Sequence, residues 1–205
     1  MLMADDGEAR DIRGPAPTSL KLVAISGNVR VPSRTEALVH ATVSAISNHV
    51  PVSQFSFSLV EAGPVLLSSL TREALTPRGL AYIHQVETAD ILLIGSPIYR
   101  ASYTGALKHL FDLVDYRALR GAIGLAVATG GTPLHGLAIE HQFRPLLGFF
   151  GVTVAATSLY ALESDFEGTT LVSPQIIERI DQAAREIAAL LPLAVPRNHA
   201  RKLVA

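Results

Sequence analysis

The feature that most constrains this chain is a set of strand-length apolar runs with almost no polar alternation: LKLVAI at 20–25, ILLI at 91–94 and AIGLAVA at 122–128. A strand with one wet face alternates. A continuous run is buried on both faces, as in a parallel strand covered by helices on each side. Helical spacing fills the intervals. Leu38, Val39, Val43 and Ile46 mark one helix, residues 78–88 a second, and Leu107, Leu110, Phe111 and Val114 a third that begins near Gly105. Ser173-Pro174 opens a last one through Ile176, Ile177, Ile180, Ala184 and Ile187. Residues 55–59 and 152–159 supply two further strands.

Five strands alternating with helices predict an α/β chain: a flavodoxin-like, doubly wound five-stranded parallel sheet with helices on both faces. At 205 residues, 49% of them hydrophobic, there is room for one sizeable core, so residues 20–190 form one expected domain. Residues 1–19 are expected to be a mobile leader and 191–205 a loose tail. Residues 61–77 read as a connection without assignable chemistry. Residues 160–173, with Glu163, Asp165 and Glu167, read as a solvated acidic surface loop.

A formal net charge of −1 and the absence of Lys/Arg clusters among aromatics argue against nucleic-acid binding. The lack of cysteine removes disulfides, thiolate metal sites, iron–sulfur clusters and a cysteine nucleophile. Of the seven histidines, His135 and His141 stand about 240° apart around a helix and share no face, so no metal site is expected. The apolar runs fall far short of the roughly 18 residues a membrane span needs, and the acidic start MLMADDGEARDIR is unlike a secretory signal. No membrane partner and a cytoplasmic location are expected.

Three loops follow strands at the expected carboxyl edge of the sheet, where open α/β sheets take their ligands. The first, Ser26-Gly27-Asn28-Val29-Arg30-Val31-Pro32-Ser33-Arg34-Thr35, runs into a helix start whose free N–H groups and dipole favour an anion. It lacks both GxxxxGK[ST] and GxGxxG, so a single phosphate, as on a mononucleotide, fits better than a triphosphate or pyrophosphate. The competing reading makes Ser33 or Thr35 a plain N-cap beside solvated arginines. The second loop offers Pro97, Ile98, Tyr99 and Arg100 as a pocket wall, or merely connects strand to helix. The third, Thr129-Gly130-Gly131-Thr132-Pro133, lets a flat ligand approach the backbone, or makes a simple turn. Residues 134–150 are apolar nearly all round, so a second surface should bury them, most simply another subunit. Within them Pro145 cannot donate to the carbonyl of His141, which predicts a kink or π-bulge around 141–145.

The segments SGNVRVPSRT, SPIYRASYTGALKHLFDL, ATGGTPLHGL and EHQFRPLLGFFG, in that order, resemble the NAD(P)H-dependent FMN reductases of flavodoxin-like fold. The resemblance spans about 20–190 and is closest to the reductases of methanesulfonate and alkanesulfonate utilisation. It implies FMN with NADPH or NADH as cofactors. It implies that the first loop binds the FMN phosphate, with Arg30, Ser33, Arg34 and Thr35 at the matching places, that Pro97, Ile98 and Tyr99 flank the flavin, and that Thr129, Gly130 and Gly131 line the isoalloxazine; Ser26, Asn28 and Arg100 are further candidates for cofactor binding. It also implies hydride transfer from nicotinamide to flavin N5 without a side-chain acid or base, a homotetramer or dimer, and delivery of reduced FMN to a partner monooxygenase. Asn28 stands where the family usually has serine. His141 stands where the alkanesulfonate type inserts a tyrosine as a π-bulge, at the tetramer centre and linked to flavin release; histidine there resembles the methanesulfonate type. Two other flavoprotein readings compete. One is an enzyme that retains FMN and reduces quinones, azo dyes or metal oxyanions. The other is a flavodoxin-type electron carrier, which a net charge of −1 disfavours because such carriers have a strongly acidic face.

Overall fold

The computed structural model describes residues 19–193, so the expected leader and tail lie, apart from their innermost residues, outside the described range. Leu20–Ser26 (β1), Val52–Ser58 (β2), Ile91–Pro97 (β3) and Ile123–Gly130 (β4) are parallel, in the spatial order β2-β1-β3-β4. From β1 the chain steps outward to β2, then crosses back past β1 to β3 and onward. That reversal puts helices on both faces and opens a crevice at the carboxyl ends of β1 and β3.

The α-helices among the described residues are Arg34–His49 (α1), Leu59–Leu66 (α2), Pro77–Glu87 (α3), Gly105–Leu113 (α4), Arg144–Phe149 (α5) and Pro174–Leu190 (α6). On one face α1 and α6 cover Leu22, Ala24, Ile91, Leu93, Leu125 and Val127. On the other, α2 to α5 cover Val23, Ile25, Leu92, Ile94, Ala126 and Ala128. Successive strand residues thus enter alternate cores, which is why the runs in the sequence are continuous.

Three expectations are corrected. Residues 61–77 are not all connection, because α2 occupies the first of them. Ser58 caps it by accepting from Glu61 N at 3.4 Å, and Leu59, Ala62, Gly63 and Leu66 are buried despite Pro64. The fifth strand is two pieces, Thr153–Val154 (β5) and Leu159–Leu162 (β6), each parallel to β4. Between them side chains replace the ladder. Thr157 donates through N and Oγ1 to Glu186 at 2.7 and 2.6 Å, Arg144 Nη2 donates to Ala156 O at 2.6 Å, and Arg179 Nε donates to Ser158 O at 3.0 Å. The acidic loop at 160–173 instead contains β6 and an antiparallel hairpin, Phe166–Glu167 (β7) with Thr170–Leu171 (β8).

Residues 139–149 form a π-helix, Ile139–Phe143, followed directly by α5. The Arg144 N–H donates to Ile139 O, five residues back, and Pro145 then falls in the first turn of α5, where a missing N–H is tolerated. Ile139, Phe143 and Leu147 are buried, whereas Leu134, Leu137 and Phe149 are 86%, 64% and 70% exposed. The outer apolar side is therefore not covered by the described residues. No described helix is long and apolar enough to cross a membrane.

Candidate functional site

Below the surface, hydrogen bonds tie together the carboxyl ends of β1, β3 and β4. Gly27 N donates to Gly95 O at 2.6 Å, and a Cβ on Gly27 would stand 2.9 Å from that carbonyl, so only glycine permits the approach. Thr104 caps α4 by accepting from Leu107 N. Its hydroxyl donates to Gly27 O at 2.8 Å, and its N–H donates to Ser96 Oγ at 3.0 Å. Ile98 N donates to Thr129 O at 2.8 Å. The buried hydroxyls of Thr35 and Thr129 meet at 2.6 Å. The three loops are therefore one cross-tied unit.

Above this layer lies a cleft of about 610 Å³, within the size range of small-molecule sites. Asn28, Arg30, Ser33, Arg34 and Thr35 line one side, Pro97, Ile98 and Tyr99 a second, and Thr129, Gly130 and Gly131 a third. Two of the residues expected at the cofactor do not line it. Ser26 ends β1 at 2% exposure, and its Oγ is buried without a hydrogen-bond partner among the described residues. Arg100 sits on the tip of a hairpin turn, with φ 52° and Ala101 at 64°. Two non-glycine residues in the left-handed region cost on the order of 1–3 kcal/mol each. Paired bonds between Tyr99 and Ser102 hold the turn, and Ser102 Oγ donates to Gln142 Oε1 of the π-helix at 3.3 Å. His141 and Pro145 are exposed on that helical segment and do not line the cleft.

The end expected to take an anion is built on the start of α1. Ser33 is its N-cap, accepting from Glu36 N at 3.2 Å. Capping and anion binding are thus not alternatives here: the cap satisfies a third-position N–H and leaves those of Arg34 and Thr35 without intrahelical acceptors. Asn28 Nδ2 donates to Arg30 O at 3.0 Å, so the amide shapes the loop. Its Oδ1 is buried without a partner among the described residues. At the opposite end Tyr160 donates to Thr132 O at 2.6 Å and supports the glycine turn, where a Cβ on Gly130 would come within 2.0 Å of the Tyr160 Oη. Burial pushes the Tyr160 hydroxyl up, against a smaller opposing effect of the Thr132 bond, which keeps it a neutral donor. A Cβ on Gly131 would meet nothing within 4 Å, so the cleft has bare backbone at that point.

Sequence reasoning missed part of the lining: Pro32, Leu162, Glu163, Gly168 and Thr169. Pro32 belongs to the first loop, and the other four form a fourth wall held by Arg34, its Nη2 donating to Glu163 Oε1 at 2.5 Å and its Nε to Gly168 O at 3.1 Å. The signal available was the edge rule itself, since β6 runs parallel to β4 and its carboxyl end opens onto the same crevice.

These features suit an FMN-shaped ligand in three places. The helix start with Arg30 and Arg34 suits a phosphate, the buried Asn28 Oδ1 is an acceptor left without a partner among the described residues, and the bare backbone at Gly131 suits a flat ring. The family model for NADPH-dependent FMN reductases matches residues 20–167. The chain is 38% identical over 177 residues to the NADH-dependent FMN reductase SfnF of Pseudomonas putida, covering 86% of this chain and 95% of that one. It is 39% identical over 170 residues to an FMN reductase (NADPH) of Pseudomonas aeruginosa, covering 83% and 91%. Among solved structures, the apo form of the NADH:FMN oxidoreductase EMOB aligns with a TM-score of 0.76 at 26% identity, covering 90% and 95%. On a doubly wound sheet with its cleft at the carboxyl edge, the match of the family model over most of the chain and the identity to these reductases place the chain in the NADPH-dependent FMN reductase family.

Proposed function

We propose that this protein reduces FMN with NADH or NADPH and delivers the reduced flavin to a partner monooxygenase of the sulfonate-utilisation type, acting in the cytoplasm. The observation that carries the FMN reading is the convergence of the α1 start, the Pro97–Tyr99 wall and the Gly130-Gly131 turn on one cleft. The backbone N–H groups of Arg34 and Thr35, aided by the helix dipole and by Arg30, hold the phosphate. Pro97, Ile98 and Tyr99 exclude water from one side of the ring, and the glycine turn lets the ring lie against the main chain. The chemistry supplied by bound FMN is acceptance of a hydride from nicotinamide at flavin N5. The protein contributes orientation and shielding.

Two features support the wider proposal. Relatives named NADH-dependent FMN reductases, SfnF and SfnE, support the reductase part of it. The exposed side formed by Leu134, Leu137 and Phe149 suits a homotetramer, with His141 and Pro145 on that segment. Anaerobic mixing of the protein with FMN and reduced nicotinamide should bleach the flavin. No bleaching with either nicotinamide would overturn the reading, and a protein that stays yellow through dialysis would point to retained FMN and another electron acceptor.

A further inference from the structure

Glu163 is the one acidic side chain among the described residues lining the cleft, in a site whose other charges are Arg30 and Arg34. Its carboxylate engages Arg34 Nη2 at 2.5 Å, and the Nε of that guanidinium donates to Gly168 O at 3.1 Å. Arg34 is also the first residue of α1. Its backbone N–H belongs to the anion-binding helix start, while its side chain is held by the facing 163–168 segment. A phosphate on that helix start and the Glu163 carboxylate therefore compete for one guanidinium and repel each other. The side chains of Arg34 and Glu163 are 39% and 72% exposed, so the carboxylate can move into water without leaving a buried unpaired charge.

We propose that Glu163 determines how tightly and for how long a phosphorylated flavin is held, acting as a built-in competitor of the phosphate for Arg34. The inference rests on the FMN reading above. It assigns a residue that loosens binding, a useful property where reduced flavin must be passed on.

The test is fluorescence titration of the full chain with FMN and with riboflavin, which lacks the phosphate, together with stopped-flow measurement of FMN release. Glu163→Gln should bind FMN about fivefold more tightly and release it correspondingly more slowly, the size of one partly exposed charge contact. Glu163→Lys should exceed it. Riboflavin affinity should change by less than about twofold, and the FMN effect should shrink as salt is raised, because the contact is exposed. The proposal is overturned if Glu163→Gln binds FMN no better than wild type, or if riboflavin shifts by the same factor as FMN. Wild-type protein that binds neither flavin would instead overturn the FMN reading itself.

Discussion

The contact between Thr35 and Thr129 ties the first helix to the glycine turn, and its energetic asymmetry can be worked from burial. The hydroxyls meet at 2.6 Å, with Thr35 2% exposed and Thr129 8% exposed on the cleft wall. Thr129→Val leaves the Thr35 hydroxyl, the more deeply buried of the two, without its partner, and an orphaned buried hydroxyl costs about 1–3 kcal/mol. Thr35→Val orphans Thr129 instead, but water in the cleft can reach that hydroxyl, so the loss should be near the lower end, about 1 kcal/mol. The double valine variant removes both polar groups at nearly constant volume. Its loss should fall below about 1 kcal/mol, against about 3 kcal/mol for the summed singles. Urea denaturation of flavin-free protein followed by circular dichroism, at one protein concentration, measures all four corners of the cycle. Each kcal/mol should also move Tm by about 2–4 °C for a chain of this size. If the double variant loses the sum of the singles to within about 0.5 kcal/mol, the hydroxyls do not stabilise each other and the tie is incidental.

Gly130→Ala would set a Cβ 2.0 Å from Tyr160 Oη and 2.9 Å from its Cζ, so the ring must shift and the bond to Thr132 O is strained or lost. FMN affinity should drop about tenfold, as expected of an overpacked turn, and recover in part when Tyr160→Ala is added. Unchanged affinity in the single variant would refute the supporting role of Tyr160. The Glu186 carboxyl is pushed up by burial, but its bonds from Thr157 Oγ1 and N, joined by those from Gln182 and the Ala156 backbone, together outweigh this and hold it below the ordinary 4.5. A lowered folded-state value contributes stability that is fully present above the unfolded pKa and is lost as pH falls through the folded one. The urea-midpoint gap between wild type and Glu186→Gln should therefore be widest near pH 7 and close below about pH 4.5; a gap independent of pH would show that the carboxylate's charge is not what stabilises the break between β5 and β6.

Much of the fold was legible because the strands carry their environment in their composition. Leu22 and Ala24 face one core, Val23 and Ile25 the other, and all four must be apolar. The helix from Gly105 was legible for a related reason, since Leu107, Leu110 and Phe111 repeat at helical spacing against a single face. What escaped was set by partners distant in the chain. In α2, Gly63-Pro64 reads as a turn, yet in a helix this short proline removes little hydrogen bonding and Ser58 secures the start. The break between β5 and β6 has no local mark at all. Its free backbone groups are satisfied by Arg144, Arg179 and Glu186, and those residues give no sign in sequence that they point there.

The same division runs through the site. The loop before α1 and the glycine turn each sit in one contiguous stretch, so local chemistry marks them as candidates. The fourth wall depends on Arg34 meeting Glu163 across 129 positions, and an acidic loop taken alone reads as solvated. The physical difference between the walls is also one of stiffness. Three are cross-tied through backbone groups at Gly27, Gly95, Ile98 and Thr129, contacts that cannot change without deforming the sheet edge. The fourth is anchored to β4 by the β6 ladder and to the core by Phe166, but its polar link to the first loop runs through one long, partly exposed side chain, Arg34, which can exchange partners at little energetic cost. If the site grips a ring and passes it on, as proposed above, it needs both kinds of wall. The adjustable one is where a single charge change should alter residence time without altering the geometry of the other three.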